Sequence, residues 1–348
     1  MEMTAQKTAL ITGVTGQDGA YLAALLVAKN YRVIGASRRA STLNLPRLAA
    51  LDVVKDIELR TLDVLDPTNV ARIIDEVAPD EIYNLGGQSS VQTSFQQPIY
   101  TSEVIGLGVL RLLEMVRLVK PDTRIYNASS SEIFGHVDRQ MVSEDTPCQP
   151  RSPYGVAKLY AHWAVINYRE AYDLFAASGI LFNHESPLRG MDFVTRKITT
   201  TLAQIACGGQ QILSLGNLDN ARDWGFAGDY VDAMWRMLQQ DKADDFIIAS
   251  GHKHSVRAFV EQAGQAAGLD IVWQGAGVNE VGLDRKTGRQ LVGVDAKFYR
   301  PSEPDALIGD ITKAKKHLQW QPTMSFDSLV EMMIDEDMRR ARDGQVWF

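Results

Sequence analysis

Four residues in the middle of the chain could do redox and elimination chemistry together. Tyr154 and Lys158 stand four apart in Ser152-Pro153-Tyr154-Gly155-Val156-Ala157-Lys158. On a helix such residues share a face and can address one ligand. A phenol serves as a base near neutral pH only if its pKa is lowered, and an adjacent ammonium does that by stabilising the phenolate. YxxxK alone is a weak signal, but Ser129-Ser130-Ser131-Glu132 follows a strand-like run upstream of it. Hydroxyls at the C-terminal end of a strand lie where open α/β sheets hold their ligands. Hydroxyl, phenol and ammonium make a hydride-transfer site, in which the phenolate takes the proton of an alcohol while a cofactor takes the hydride. A simple dehydrogenase has no use for Glu132. An enzyme that oxidises a carbinol and then removes the acidified proton beside the new carbonyl does need it. A helix-capping or salt-bridged glutamate fits as well, and the neighbouring hydroxyls leave both readings open.

Hydride transfer needs a dinucleotide, and Gly13, Gly16 and Gly19 supply a place for one. They follow the first strand-like run and open the first helix. Glycines there permit a tight turn and a close backbone approach to a pyrophosphate at a helix N-terminus. Thr15, Gln17 and Asp18 lie within the same turn. The second strand ends in Ser37-Arg38-Arg39, with no acid to hold ribose hydroxyls. Two guanidiniums suit a 2′-phosphate and so NADP; a pair of solvated surface arginines is the other reading, and position and charge favour the phosphate. Asp63, followed by Val64, ends the third strand. Its carboxylate could accept from an adenine amino group or cap a turn.

The scaffold that must position these groups is an alternation of strands and helices. Strand patterns are Thr8–Thr12, Arg32–Ser37, Asp56–Leu62, Glu81–Leu85, Thr123–Ala128 and Phe175–Phe182. Helical patterns include Ala20–Ala28, Asn69–Val77, Val104–Val119 and Pro153–Tyr172. Right-handed crossovers between such strands give a parallel sheet. The expected fold is α/β: a Rossmann-type doubly wound parallel sheet with a smaller mixed α/β substrate-binding domain. The first domain is expected over residues 1–183, with later returns near 222–252. The second is expected mainly over 184–348, with helices at Val256–Ala267 and Phe326–Arg340. There is no Pro- or Ser-rich linker, so the two are expected to pack around a cleft.

Bulk properties narrow the function classes. The chain has 348 residues, 45% hydrophobic residues and a net charge of -7. That acidity argues against nucleic acid or an anionic membrane surface as partner. Two distant cysteines, Cys148 and Cys207, make neither a disulfide framework nor a four-ligand zinc site, and no metal is expected. Free thiols, no visible signal peptide and no membrane-length apolar run lead to the expectation of a soluble cytoplasmic protein.

With those residues on the page, the chain resembles the GDP-mannose 4,6-dehydratases, a branch of the extended short-chain dehydrogenases. The resemblance rests on the glycine turn, SSSE, SPYGVAKLYAHW, Gly179-Ile180-Leu181-Phe182-Asn183-His184-Glu185-Ser186-Pro187 and Phe193-Val194-Thr195-Arg196-Lys197-Ile198. It also rests on Leu215-Gly216-Asn217, Arg222-Asp223-Trp224-Gly225 and Phe298-Tyr299-Arg300-Pro301, so that it spans residues 8 to 335. It implies that Tyr154, beside Lys158, is the base for oxidation at the fourth carbon of the sugar. Ser130 stands where the family usually has a catalytic threonine. Glu132 takes the proton at the fifth carbon and helps expel water from the sixth, to which the hydride returns. Leu85, Gly86, Gly87, Gln88, Ser89 and Tyr100 match the cofactor loop, and His184 and Arg189 the nicotinamide end. Ser89, Glu132, Asn183, Val194, Lys197, Gly216, Arg222, Arg300 and Glu303 match the GDP-sugar pocket. Serine at 130 loses a methyl group that would restrict its rotamer. Gly86-Gly87 replaces a usual pair of alanines. Both departures fit a larger GDP-sugar such as a manno-heptose as well as GDP-mannose. A nucleotide-sugar reductase or epimerase on the same fold is the other reading, since it does not require Glu132. Arg38 to Arg47 resembles an interface loop of the family, which implies a homodimer or homotetramer.

Overall fold

The computed structural model describes residues 6–138, 140–298 and 306–344. In chain order the strands are β1 (Thr8–Thr12), β2 (Arg32–Ser37), β3 (Ile57–Thr61), β4 (Glu81–Asn84), β5 (Arg124–Ser130), β6 (Met141–Val142), β7 (Ala176–Leu181) and β8 (Asn183–Glu185). They continue with β9 (Leu213–Leu215), β10 (Ala221–Phe226), β11 (Asp245–Ile248), β12 (Lys253–Ser255), β13 (Ile271–Gln274), β14 (Val281–Asp284), β15 (Gln290–Val294) and β16 (Ile308–Gly309). The helices are α1 (Gln17–Ala28), α2 (Pro46–Ala50), α3 (Pro67–Val77), α4 (Val91–Gln96), α5 (Pro98–Thr101), α6 (Gly108–Val119) and α7 (Pro153–Tyr172). They end with α8 (Val194–Ala206), α9 (Ala227–Met237), α10 (Val256–Ala266), α11 (Thr312–Leu318) and α12 (Phe326–Asp343).

Two compact units are present. The first takes Met1–Phe182, Ala227–Ile248 and Asp310–Gln321. Its sheet has seven strands in the order β11-β7-β5-β4-β1-β2-β3. Every pairing in it is parallel. This is the expected doubly wound fold, and the strand order reverses at β1, where such sheets open a ligand crevice. Leu10, Ile34, Ile82, Ile125 and Ala176 point to one face and pack with Ile73, Leu112, Val116, Val165 and Tyr168 from α3, α6 and α7. Those helices are amphipathic and lay their apolar stripe on the sheet.

The second unit takes Asn183–Phe226, Ala249–Gly309 and Pro322–Phe348. It holds a three-stranded sheet, β12-β10-β8, and a four-stranded one, β13-β14-β15-β9. Its core gathers Ile198, Leu202, Leu215, Trp224, Phe259, Val292, Leu329 and Met333.

Two local features depart from the sequence pattern. The helical run predicted from Val104 is a π-helical segment over Ser102–Leu107 before it becomes α6. Gly108, the residue after it, lies close to the Val64 side chain, where an added Cβ would be 2.9 Å from Cγ2. The segment 310–321 joins the first unit, where Trp320 Nε1 donates to the Asp229 carbonyl at 2.9 Å. Among the described residues no helix is long and apolar enough to cross a membrane. No group of three or more His, Cys, Asp or Glu there could hold a metal ion.

Candidate active site

β5 ends in Ser130, and a tight turn over Ser131–Ile133 carries Glu132. Ser130 Oγ accepts the Glu132 N–H at 3.3 Å, which caps that turn and leaves the hydroxyl hydrogen to donate elsewhere. Ser130 is buried and Glu132 exposed. α7 begins next to them. Ser152 caps it by accepting the Gly155 N–H at 3.0 Å, with Pro153 in the first turn. A Cβ on Gly155 would sit 2.7 Å from the Glu132 carbonyl oxygen, so the helix start presses directly on the turn that bears the carboxylate. Tyr154 is buried in that first turn, packed with Ile105, Ala157 and Val91. Lys158 follows one turn later. Its ammonium donates to the Ala128 carbonyl at 2.6 Å and lies 5.7 Å from the Tyr154 ring centroid. Burial of this ammonium lowers its pKa to about 8, against the opposing pull of the Asp18 carboxylate. Thus Ser130, Glu132, Tyr154 and Lys158 come from one strand end and one helix start of the first unit.

The glycine turn lies at the C-terminal end of β1. Gly13 has φ 70°, the left-handed region, and a Cβ there would meet the Leu85 carbonyl at 2.7 Å. Gly16 caps α1, and its N–H donates to the Gly13 carbonyl at 3.0 Å. A Cβ on Gly19 would lie 2.4 Å from that carbonyl. The backbone can therefore curl beneath a phosphate at the α1 N-terminus. Gln17 Nε2 donates to Asp18 at 3.0 Å, and Arg47 reaches the Thr15 carbonyl at 3.4 Å.

Beyond the end of β2 a cavity of about 880 Å³ is lined by Thr15, Arg38, Arg39, Asn44, Asp63 and Arg72, among others. Arg38 donates to the Tyr100 hydroxyl. Asp63 accepts the Leu65 N–H at 3.0 Å, so it makes a turn and also lines the cavity; Val64, next to it, is buried. The Gln88 amide is taken up locally, donating to Thr101 at 3.1 Å and accepting the Ser90 N–H at 2.8 Å. Gly87 and Ser89 flank it. Thr12 closes an apolar strand and carries no chemical signal in the sequence. Its hydroxyl accepts the N–H groups of Leu85 and Gly86, at 3.1 and 2.9 Å, and so shapes the loop. A Cβ on Gly86 would press on that same oxygen at 3.0 Å.

In the second unit, Asn183, His184 and Glu185 form β8, beside β10. His184 is buried. Glu185 is ion-paired to Arg189 at 3.3 Å and accepts from Thr195, and the Arg189 guanidinium lies 3.5 Å from the Phe193 ring centroid. Val194 and Lys197 open α8. The Lys197 ammonium is 4.3 Å from the Phe298 ring centroid, and Gly216 lies against the Phe298 carbonyl. Burial holds the Lys197 pKa below its usual value, opposed by Asp295. Phe298, which opens one of the motifs quoted for the resemblance, was given no role of its own there. Arg222 is on β10 and donates to the Ala221 carbonyl at 2.7 Å. Arg300 and Glu303 lie outside the described residues.

Sequence comparison decides which family this geometry belongs to. Residues 10–333 match the GDP-mannose 4,6 dehydratase family profile. The human GDP-mannose 4,6 dehydratase is 51% identical over 97% of this chain and 93% of its own length. The enzyme of that name from Vibrio cholerae is 47% identical over 97% and 95%. The chain belongs to the GDP-mannose 4,6-dehydratase family. With that family it stands among the hydro-lyases. The fold is shared more widely. A UDP-glucose 4-epimerase from Thermotoga maritima superposes with a TM-score of 0.81 at 20% identity, covering 95% of this chain and 99% of that one. A dTDP-glucose 4,6-dehydratase from Bacillus anthracis, solved in complex with NAD, gives 0.78 at 18% identity, covering 97% and 98%.

Proposed function

We propose that this protein of the GDP-mannose 4,6-dehydratase family removes water from GDP-mannose to give GDP-4-keto-6-deoxymannose, with NADP as resident cofactor. Supporting this above all is the convergence of four groups: Lys158 bonded to the carbonyl just before the Ser130–Glu132 turn, with Tyr154 in the helix turn that presses on Glu132. The dinucleotide fits the first unit: a glycine turn shaped for a pyrophosphate, and a β2 that ends in Ser37, Arg38 and Arg39 rather than in an acid, beside a cavity that Asp63 also lines. NADP, when bound, supplies a hydride acceptor that later returns what it took.

The residues handle the protons. Tyr154, its phenolate favoured by the Lys158 ammonium, takes the proton from the hydroxyl on the fourth carbon. Ser130 donates to the oxygen there, which steadies charge on it. The new carbonyl acidifies the proton on the fifth carbon. Glu132 removes that proton and passes it to the departing hydroxyl on the sixth carbon. As hydride returns to the sixth carbon, Tyr154 gives the proton it took at the start to the fifth carbon, and the phenolate is restored. Overall the sugar loses one water and the cofactor is unchanged. Glu132 is exposed, as a carboxylate that must meet a sugar ring has to be. For the GDP moiety we assign Ser89, Asn183, Val194, Lys197, Gly216, Arg222, Arg300 and Glu303. Cations there suit a diphosphate. His184 and Arg189 are assigned to the nicotinamide side.

A homodimer is part of the proposal. Val156, Tyr160 and Trp163 are exposed on α7, and with Leu110 and Leu159 they line a shallow cavity of about 470 Å³. A contiguous apolar face of this kind is covered in an oligomer. Cytoplasmic placement fits two free thiols, Cys148 and Cys207.

The test is incubation of GDP-mannose with catalytic NADP, followed by mass spectrometry. Loss of water without net change in nicotinamide absorbance is expected. A stoichiometric absorbance change, or an isomer of unchanged mass, would replace the dehydratase with a reductase or an epimerase. A GDP-manno-heptose in the same assay reports whether Ser130 and Gly86 widen the choice of sugar.

A further inference from the structure

Below the active site the sheet carries a row of polar residues. Register aligns Thr12 of β1 with Asn84 of β4, Asn127 of β5, Ser178 of β7 and Asp245 of β11. Leu10, Ile82, Ile125 and Ala176, each two positions away on its strand, pack with Val165 and Tyr168 of α7. Side chains two apart on a strand share a face, so the row faces α7. From one end, Thr12 Oγ1 donates to Asn84 Oδ1 at 2.9 Å, and Asn84 Nδ2 donates to Asn127 Oδ1 at 3.1 Å. At the other end Asp245 accepts the Ser178 N–H at 3.0 Å and holds Arg169 of α7 at 2.7 Å. The side-chain chain breaks between Asn127 and Ser178. A serine is too short to span the roughly 4.8 Å between strands that two asparagines bridge.

Asn127 Nδ2 and Ser178 Oγ, on the paired residues that flank this break, and His162 Nδ1 on α7 are three buried atoms without a protein partner. Each of these residues is more than nine-tenths buried. His162 lies on the α7 stripe between Lys158 and Arg169, and it feels the charges of Asp245 and Arg169. Burial keeps its pKa below that of a free imidazole, so the ring is neutral and has one donor and one acceptor nitrogen. Polar groups buried together like this are satisfied by internal water, which typically makes about three hydrogen bonds.

We propose that a buried water molecule bridges Asn127 Nδ2, Ser178 Oγ and His162 Nδ1, and that His162 is thereby a positioning residue for Lys158. The bridge completes one hydrogen-bonded row from the Leu85–Gly86 loop to the Asp245–Arg169 pair. It ties α7 to β5 one helical turn beyond the Lys158 ammonium, and so sets that ammonium on the Ala128 carbonyl. This rests on the reading of Tyr154 and Lys158 as the redox pair, though the water itself does not.

A crystal structure of the NADP-bound protein at a resolution that shows ordered water is the first test. Water bonded to all three atoms supports the proposal. Direct contact among the side chains, or a dry gap, overturns it. The second test compares His162→Leu with His162→Asn, whose amide keeps a polar atom near the place of Nδ1. For GDP-mannose, kcat should fall about tenfold in His162→Leu with KM within about twofold, and His162→Asn should recover most of the loss. Wild-type kcat in His162→Leu, or an equal fall in both variants, overturns the positioning role. If His162→Leu does not fold, Ser178→Ala is read in the same way. Turnover surviving in Tyr154→Phe would instead remove the redox-pair reading and leave the crystallographic result standing.

Discussion

A lysine ammonium buried against a backbone carbonyl is an expensive group to keep charged, and Lys158 shows it: its pKa falls to about 8 from 10.5. The consequence for stability has a definite sign. Between those two values the unfolded chain binds a proton that the folded, ligand-free protein has released, so stability rises with pH. Relative to Lys158→Met, the ligand-free wild type should gain denaturation midpoint as pH increases from about 8 to about 10.5. A constant difference across that window would contradict the burial of this charge. Glu132 offers a kinetic counterpart. Glu132→Gln should oxidise the fourth carbon slowly and stop before water leaves, so reduced nicotinamide accumulates up to one per site. Normal product formation would place the base elsewhere. Cofactor choice is tested at Arg38 and Arg39. Replacing both with alanine should weaken NADP by tenfold or more, about 1.4 kcal/mol, and NAD far less. Equal losses in a binding titration would end the 2′-phosphate assignment.

The elements that hold these residues are short, and their junctions carry the geometry. The β1–α1 turn closes because Gly19 passes within 2.4 Å, at its missing Cβ, of the Gly13 carbonyl. Only backbone surrounds that point, so nothing can rotate aside. Gly19→Ala should therefore cost about 1–3 kcal/mol and loosen cofactor binding, read as a lowered Tm and a raised Kd for NADP. Retention of both would mean that the turn is slacker than its contacts. α7 is the second junction. Ser152 caps its own first turn, while its start against the Glu132 carbonyl and the bond from Lys158 to Ala128 fasten it to the end of β5. Much of this was legible beforehand. β1, β2 and α7 fall on the predicted residues, because apolar runs, caps and glycines are local signals. The π-helical turn at Ser102–Leu107 was not, since a shift of backbone hydrogen bonds leaves the apolar spacing of a helix largely unchanged.

For the molecule as a whole, the exposed Tyr160 and Trp163 stand out on a chain whose net charge is -7. The proposed homodimer would cover this aromatic surface, which lies on the helix that also carries Tyr154 and Lys158. Trp163→Glu should shift the protein toward monomer in light scattering. An unchanged molecular mass would exclude this face as the interface.

Chemistry confined to neighbouring residues could be read from the sequence: the glycine turn, the phenol and ammonium one helical turn apart, the hydroxyls and carboxylate at a strand end, and the alternation that makes a doubly wound sheet. Tertiary structure alone decided what depends on strand order and register. It set Thr12, Asn84, Asn127, Ser178 and Asp245 in one row, brought 310–321 back to the first unit and laid Phe298 beside Lys197. Spacing along the chain constrains only what a single helix or strand can reach. Contacts between distant segments are chosen by which buried faces and hydrogen bonds can all be satisfied at once.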